Sequence, residues 1–236
     1  MNNNYIKDVV FQNKEELYES LVDLNNKIKS IKKFNKPYII EFAGTARSGK
    51  STSIELIADV FRKNGFNVIV VDEEAVKLTK SINENRSQKM KINSLDYTNN
   101  IIKEKVMLYD EFSNKDADIV IFDRGINDEF IWLDTFGADN ASLNEYDKKI
   151  SNRCVDMLII LTCNPEVSMK RKYLNSLSIM PNKWTNIETC TSYLNSIEVV
   201  KKYFKNHAKR IEQMDSSNCD KITVALKLCN RIIEEV

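Results

Sequence analysis

Residues 38–51 read Tyr-Ile-Ile-Glu-Phe-Ala-Gly-Thr-Ala-Arg-Ser-Gly-Lys-Ser. Tyr38 to Ala43 is a short apolar run, mostly β-branched or aromatic, and suits a buried strand. Gly44 to Ser51 then matches G-x-x-x-x-G-K-[ST], the Walker A pattern. Beyond it Ile54, Ile57, Ala58 and Phe61 recur at helical spacing until Asn64-Gly65 supplies a stop. Strand, glycine-bearing loop and helix, in that order, are the context in which this pattern builds a phosphate cradle. The glycines let the chain fold back so that successive N–H groups from Gly44, Thr45, Ala46, Arg47, Ser48, Gly49, Lys50, Ser51 and Thr52 face one concavity. The positive end of the following helix adds to the attraction for an anion. Lys50 is expected to reach the β- and γ-phosphates of a bound nucleotide, and the Ser51 hydroxyl to ligate Mg²⁺.

Working outward, a loop of this kind needs a second strand beside the first, ending in a carboxylate for the metal. Asp118-Ile-Val-Ile-Phe-Asp123 fits, which makes Asp123 the expected metal partner of Ser51. Arg124 follows at the strand's carboxyl end, the edge on which open α/β sheets bind ligands. Its guanidinium can there grip a phosphate with paired hydrogen bonds, or else serve in a surface salt bridge. Residues 67–72 read as a further strand with Asp72 and Glu73 at its end, residues 157–162 as another, and 210–215 as a weaker last one. Helical patterns lie between them, at about 99–113, 126–136, 143–154, 166–177, 186–206 and 220–235. Alternation of this kind implies a parallel sheet covered on both faces, a three-layer α/β sandwich. No Asn-Lys-x-Asp sequence appears, which argues against a guanine-nucleotide switch.

Composition closes off other chemistries. Lys+Arg 35 against Asp+Glu 34 leaves a net charge of +1, which argues against a whole-surface affinity for nucleic acid or an anionic membrane. No stretch has the apolar length to cross a bilayer, and the first residues lack the design of a secretory signal, so a cytoplasmic location is expected. The five cysteines (154, 163, 190, 219 and 229) form no Cys-x-x-Cys pair and read as reduced structural thiols. The single histidine, His207, leaves little for a triad or a zinc site and is expected to be solvated in its lysine-rich surroundings.

A chain of 236 residues suits one ordinary domain, here preceded by an extension. Residues 1–36 form an N-terminal amphipathic helical extension, in which Leu17, Leu21, Leu24, Ile28 and Ile31 step by four and three. That stripe suits packing on its own domain or a subunit contact, as in a homodimer. Residues 37–236 are expected to form the domain that carries the P-loop. Within it, 74–114, with Arg86, Lys89, Lys91 and Tyr97, either builds an acceptor pocket or is a solvated face. Residues of about 165–185, with Lys170, Arg171 and Lys172, form either a basic lid over the phosphates or an ordinary basic helix turn.

Taken together, Gly44–Ser51, the acidic end of the second strand, Asp123-Arg124-Gly125 and the Asn164-Pro165-Glu166…Lys170-Arg171-Lys172 stretch resemble the thymidylate kinase and deoxynucleoside kinase branch of the P-loop kinases. The resemblance spans about residues 37–235 and departs from the family at three places. Ala46 stands where an acidic residue is usual, Gly125 where an aromatic is usual, and no proline follows Glu73. It implies a P-loop NTPase fold with a five-stranded parallel sheet in the order 2-3-1-4-5. It also implies ATP and Mg²⁺ as cofactors and a nucleoside or nucleoside monophosphate as acceptor. The catalytic set so implied is Lys50, Asp123, Arg124, Arg47, Glu73 and Arg171, with Asp72, Glu73, Arg124 and Asp128 on the acceptor. The stretch Asp123–Trp132 also resembles thymidylate kinase-like ATPases. That second resemblance leaves the identity of the acceptor open. The competing expectation is an ATP-binding regulatory module whose bound nucleotide controls a protein partner, with the N-terminal helix as its contact. A kinase of nucleic-acid ends is disfavoured by the balanced charge.

Overall fold

Side chains of a strand point alternately to opposite faces, and the first strand, β1 (Tyr38–Ala43), does so with both faces buried. Ile40 and Phe42 enter one apolar cluster, Ile39 and Ala43 the other. The third strand repeats this with Ile119 and Ile121 against Val120 and Phe122, and the fourth with Met157, Ile159 and Leu161 against Leu158 and Ile160. Such two-sided burial is why these strands read as continuous apolar runs in place of an alternation with polar residues.

The computed structural model describes residues 14–31, 36–72, 95–174 and 186–234. In chain order its elements are α1 (Lys14–Ser30), β1, α2 (Lys50–Lys63), β2 (Val68–Val71), α3 (Leu95–Phe112), β3 (Ile119–Asp123), α4 (Asp128–Thr135) and α5 (Asn140–Lys149). There follow β4 (Val155–Thr162), α6 (Pro165–Leu174), α7 (Ile187–His207), β5 (Ala208–Asp215) and α8 (Lys221–Ile233). The sheet is parallel throughout, in the order β2-β3-β1-β4-β5. This is the doubly wound P-loop NTPase arrangement that the sequence predicts. Helices α1, α2 and α8 cover one face, through Leu24, Ile28, Ile54, Ile57, Leu228 and Ile232 among others. Helices α4, α5 and α7 cover the other, through Phe130, Tyr146, Tyr193 and Phe204.

Register sets the site. Phe42 pairs with Asp123 and Ala43 with Ile160, so β1, β3 and β4 end side by side, and the loop after β1 opens between the ends of its neighbours. Among the described residues no helix is long and apolar enough to cross a membrane.

One expectation is corrected here. His207 is buried, not solvated. It closes α7, with Nδ1 2.9 Å from the Arg153 carbonyl oxygen, Nε2 2.9 Å from Asp147 Oδ1, and its ring stacked on Phe130. The lysines near it in sequence lie on other faces of the helix, while His207 falls on the face that packs against α4.

Candidate functional site

The loop between β1 and α2 is held by its carbonyl groups. Lys50 Nζ donates to the carbonyl oxygens of Gly44 (3.1 Å) and Thr45 (2.8 Å). Ser168 Oγ donates to that of Ala46 (2.9 Å), Arg171 Nη1 to that of Arg47 (3.0 Å), and Ser216 Oγ to that of Ser48 (2.7 Å). The Gly49 carbonyl accepts the Ser53 N–H inside α2. Every carbonyl from 44 to 49 thus has a protein donor. The Gly44 and Ser48 N–H groups are also held within the protein, so the amides that suit an anion are the others of the loop and of the first turn of α2. Helix α2 begins at Lys50 behind a Gly49 cap that makes no side-chain hydrogen bond. Its first N–H groups have no acceptor within the helix, and the helix dipole concentrates positive potential at the same place.

Gly44 is required by space as well as by conformation. Its φ is +142°, and a Cβ at this position would lie 1.8 Å from the Leu161 carbonyl oxygen on β4. The loop is pressed onto the neighbouring strand in a way that only glycine permits.

Ser51 Oγ donates to Asp123 Oδ2 at 2.7 Å. The other carboxylate oxygen, Oδ1, is buried and has no hydrogen-bond partner among the described residues. A hydroxyl and a carboxylate side by side, with one oxygen orphaned, form a hard-oxygen donor set suited to Mg²⁺. Lys50, 6% exposed, starts α2 and reaches back so that its ammonium group bridges the Gly44 and Thr45 carbonyl oxygens at the start of the loop.

Arg124 and Arg47 both adopt positive φ, at 66° and 58°. Left-handed backbone in a non-glycine residue is strained, and such strain gathers at functional sites. Arg124, 7% exposed, faces Asp128 and lies against the Trp132 ring with its guanidinium 5.5 Å from the ring centre. Arg47 is half-buried, and its Nε is buried without a hydrogen-bond partner among the described residues.

The remaining expected site residues fall as follows. Thr45 and Ser48 are buried under the loop, Ala46 is half-buried, and Thr52 is exposed on the first turn of α2. Asp72 is exposed just beyond β2, while Glu73, Arg86, Lys89, Lys91 and the side chains of Tyr97 and Lys172 lie outside what is described. Arg171, expected on a lid, is instead bonded to the Arg47 carbonyl and, through Nη2, to the Ser216 carbonyl (2.7 Å), which makes it a brace of the loop. Asp128, expected at the acceptor, is fully buried, its carboxylate committed to protein donors. Burial alone would raise its pKa; the charges of Arg124 and Lys105 more than offset this and hold it below the ordinary carboxylate value.

Several residues of the site carry no local sequence signal. Tyr193 on α7 accepts the Gly44 N–H at 2.9 Å and donates to Asp128. Ser168 and Ser216 hold loop carbonyls. Beneath them Glu41 accepts from Asn127 Nδ2 and the Asp128 N–H, both at 2.9 Å, and Lys105 pairs with Glu129 in a buried ion pair. The position of Ser216, one residue past the carboxyl end of β5, is the only hint available in the sequence.

Comparison with solved structures places the same fold in known company. A thymidylate kinase from Ehrlichia chaffeensis superposes with a TM-score of 0.56 at 16% identity, over 84% of this chain and 99% of that one. A thymidylate kinase from Candida albicans gives 0.60 at 17% identity, over 84% and 92%. No curated protein sequence matches the chain. A family model described as an AAA domain matches residues 39–176, from β1 and its phosphate loop through Asp123 to the loop-bracing helix α6. With more than half of its length in that match, the chain belongs to this AAA domain family.

Proposed function

We propose that the protein transfers the γ-phosphoryl group of ATP, with Mg²⁺, to a small acceptor, a nucleoside or nucleoside monophosphate in the first instance. The observation that carries this reading is the loop itself: six successive carbonyls each held by a protein donor, Lys50 spanning the first two of them, and the Ser51–Asp123 pair beside it. The likeness to two structures described as thymidylate kinases supports the choice of acceptor class.

In this reading the acceptor oxygen attacks the γ-phosphorus, the bond to the β–γ bridging oxygen breaks, and ADP departs. Charge then spreads over the equatorial oxygens of the transferred group, and fixed cations aimed at it lower the barrier. Lys50 supplies one such cation; Arg124 and Arg47, held in strained backbone at the same edge of the sheet, supply others. Ser51 and Asp123 would hold Mg²⁺, which when bound neutralises phosphate charge. Asp72 or Glu73 orients an acceptor hydroxyl and takes its proton; a monophosphate acceptor, already anionic, needs no base. Arg171 contributes through the loop, by fixing the Arg47 carbonyl.

The test is ADP release measured with ATP, Mg²⁺ and a panel of nucleosides and nucleoside monophosphates. One class of acceptor should accelerate release, and Lys50→Ala should lower that rate by about 10²-fold or more, the scale of removing one preorganised charge-stabilising group. Undiminished turnover in a folded Lys50→Ala protein would refute the assignment. Release that no acceptor accelerates, but a protein partner does, would favour the regulatory module.

A further inference from the structure

Asp128 sits in the first turn of α4 with no exposed surface, yet its carboxylate gathers donors from four places in the fold. Oδ1 accepts the Gly44 N–H (3.3 Å) and the Tyr193 hydroxyl. Oδ2 accepts the Trp132 Nε1–H at 2.9 Å. Arg124 Nη1 reaches both oxygens, at 3.2 and 3.0 Å. The Tyr193 hydroxyl closes a ring by accepting the Gly44 N–H as well. Below this ring, the Asp128 N–H is held by Glu41, and Lys105 lends its charge from the pair it makes with Glu129. An anion with no exposed surface depends on such groups for its support, so a shift in one donor is felt by the others.

Two of those donors belong to the site described above: the first glycine of the phosphate loop and the guanidinium at the end of β3. Phosphoryl transfer needs them at a fixed spacing, because misplacement of a positioned group by a fraction of an ångström costs rate. We propose that Asp128 is a positioning residue that holds Gly44 and Arg124 in register with each other and transmits the arrival of phosphates to Trp132. The transmission follows from shared partners. Phosphates draw on Arg124, the same guanidinium is balanced by Asp128, and Trp132 both bonds that carboxylate and lies against that guanidinium. This inference rests on the phosphate loop being the ATP site.

Trp132 is one of two tryptophans in the chain, so in a Trp184→Phe background its emission reports on this ring alone. Three chains are compared in that background: otherwise unsubstituted, Asp128→Asn, and Tyr193→Phe, the last removing only a hydroxyl should the Asn variant fail to fold. Each is titrated with ATP and Mg²⁺ by calorimetry and by tryptophan fluorescence, and its turnover is measured with the best acceptor. In the unsubstituted ring ATP should change Trp132 emission. In Asp128→Asn the change should vanish and kcat fall about ten- to hundredfold, while the ATP dissociation constant moves less than about threefold, the split expected when ground-state binding survives and alignment is lost. Tyr193→Phe should move the same quantities in the same direction by less. ATP heat with fluorescence and kcat unaltered in both variants overturns the positioning role and leaves the ATP site standing. Absence of ATP heat in the unsubstituted chain overturns the ATP site itself, and this inference with it.

Discussion

Glu41 lies in the middle of β1 with no exposed surface, in a strand otherwise apolar toward both helix layers. Burial pushes its carboxyl up from 4.5 to about 7, against the pull of its hydrogen bonds from Asn127 and the Asp128 N–H. The unfolded carboxyl gives up its proton near pH 4.5, and the folded one keeps it until about 7. Between those values the folded state binds the extra proton, so rising pH weakens the fold through this window, by on the order of 3 kcal/mol in all. Glu41→Gln removes the titration. Denaturant melts from pH 4.5 to 8 should show the variant gaining on the parent as pH rises, and parallel curves would show that Glu41 does not hold its proton. The same side chain explains Gly125: a Cβ there would meet the Glu41 carboxylate at 2.7–2.8 Å. Residues such as Lys50, Ser51 and Asp123 were legible because their neighbours in sequence carry the pattern. Tyr193 was not, because it stands 149 positions from the Gly44 amide it holds. Arg171 was legible as a cation on the helix after β4 but not as a brace of the loop, since its acceptors are main-chain carbonyls that any residue offers.

At the scale of elements, strands buried on both faces announced themselves as apolar runs, and β1 was readable to its ends. Strand β5 was not: it runs from Ala208, directly after the last residue of α7, with no turn chemistry to mark the change from helix to strand. Its Arg210 and Glu212 pair with each other on an edge strand, which further masks the apolar pattern. Helix α1 shows the opposite case, a clear stripe whose destination the sequence left open. Leu24 and Ile28 are buried against the same cluster as α2 and α8, whereas Leu21 is 39% exposed. Ile28→Ala should therefore cost about 2–4 kcal/mol by leaving a cavity in that core. Leu21→Ala should cost no more than about 0.5 kcal/mol. Urea melts of the two variants decide it: equal small losses would mean that α1 contributes nothing to the domain's core.

For the molecule as a whole, the phosphate loop is where the two halves of the sheet meet. Its carbonyls are tied to α6 and to the turn after β5, its first amide to α7 and α4, and Ser51 to the end of β3. A ligand that organises this loop binds only the folded chain, since no segment of it carries the site alone. Nucleotide should accordingly stabilise the entire domain. At a free concentration of one hundred times its dissociation constant, a ligand adds about 2.7 kcal/mol. For a domain of this size that corresponds to a rise in Tm of roughly 5–10 °C. Asp123 Oδ1, without a partner among the described residues, adds a sharper requirement. If it and Ser51 hold Mg²⁺, the metal should raise Tm further only when ATP is present. Asp123→Asn should keep the shift produced by ATP alone and lose the increment from the metal. Scanning calorimetry of both proteins with ATP, with Mg²⁺ and with the two together separates the contributions. An equal metal increment in the parent and in Asp123→Asn would place the ion elsewhere, because an amide at this position retains the shape of the carboxylate and lacks the charge that a divalent cation needs.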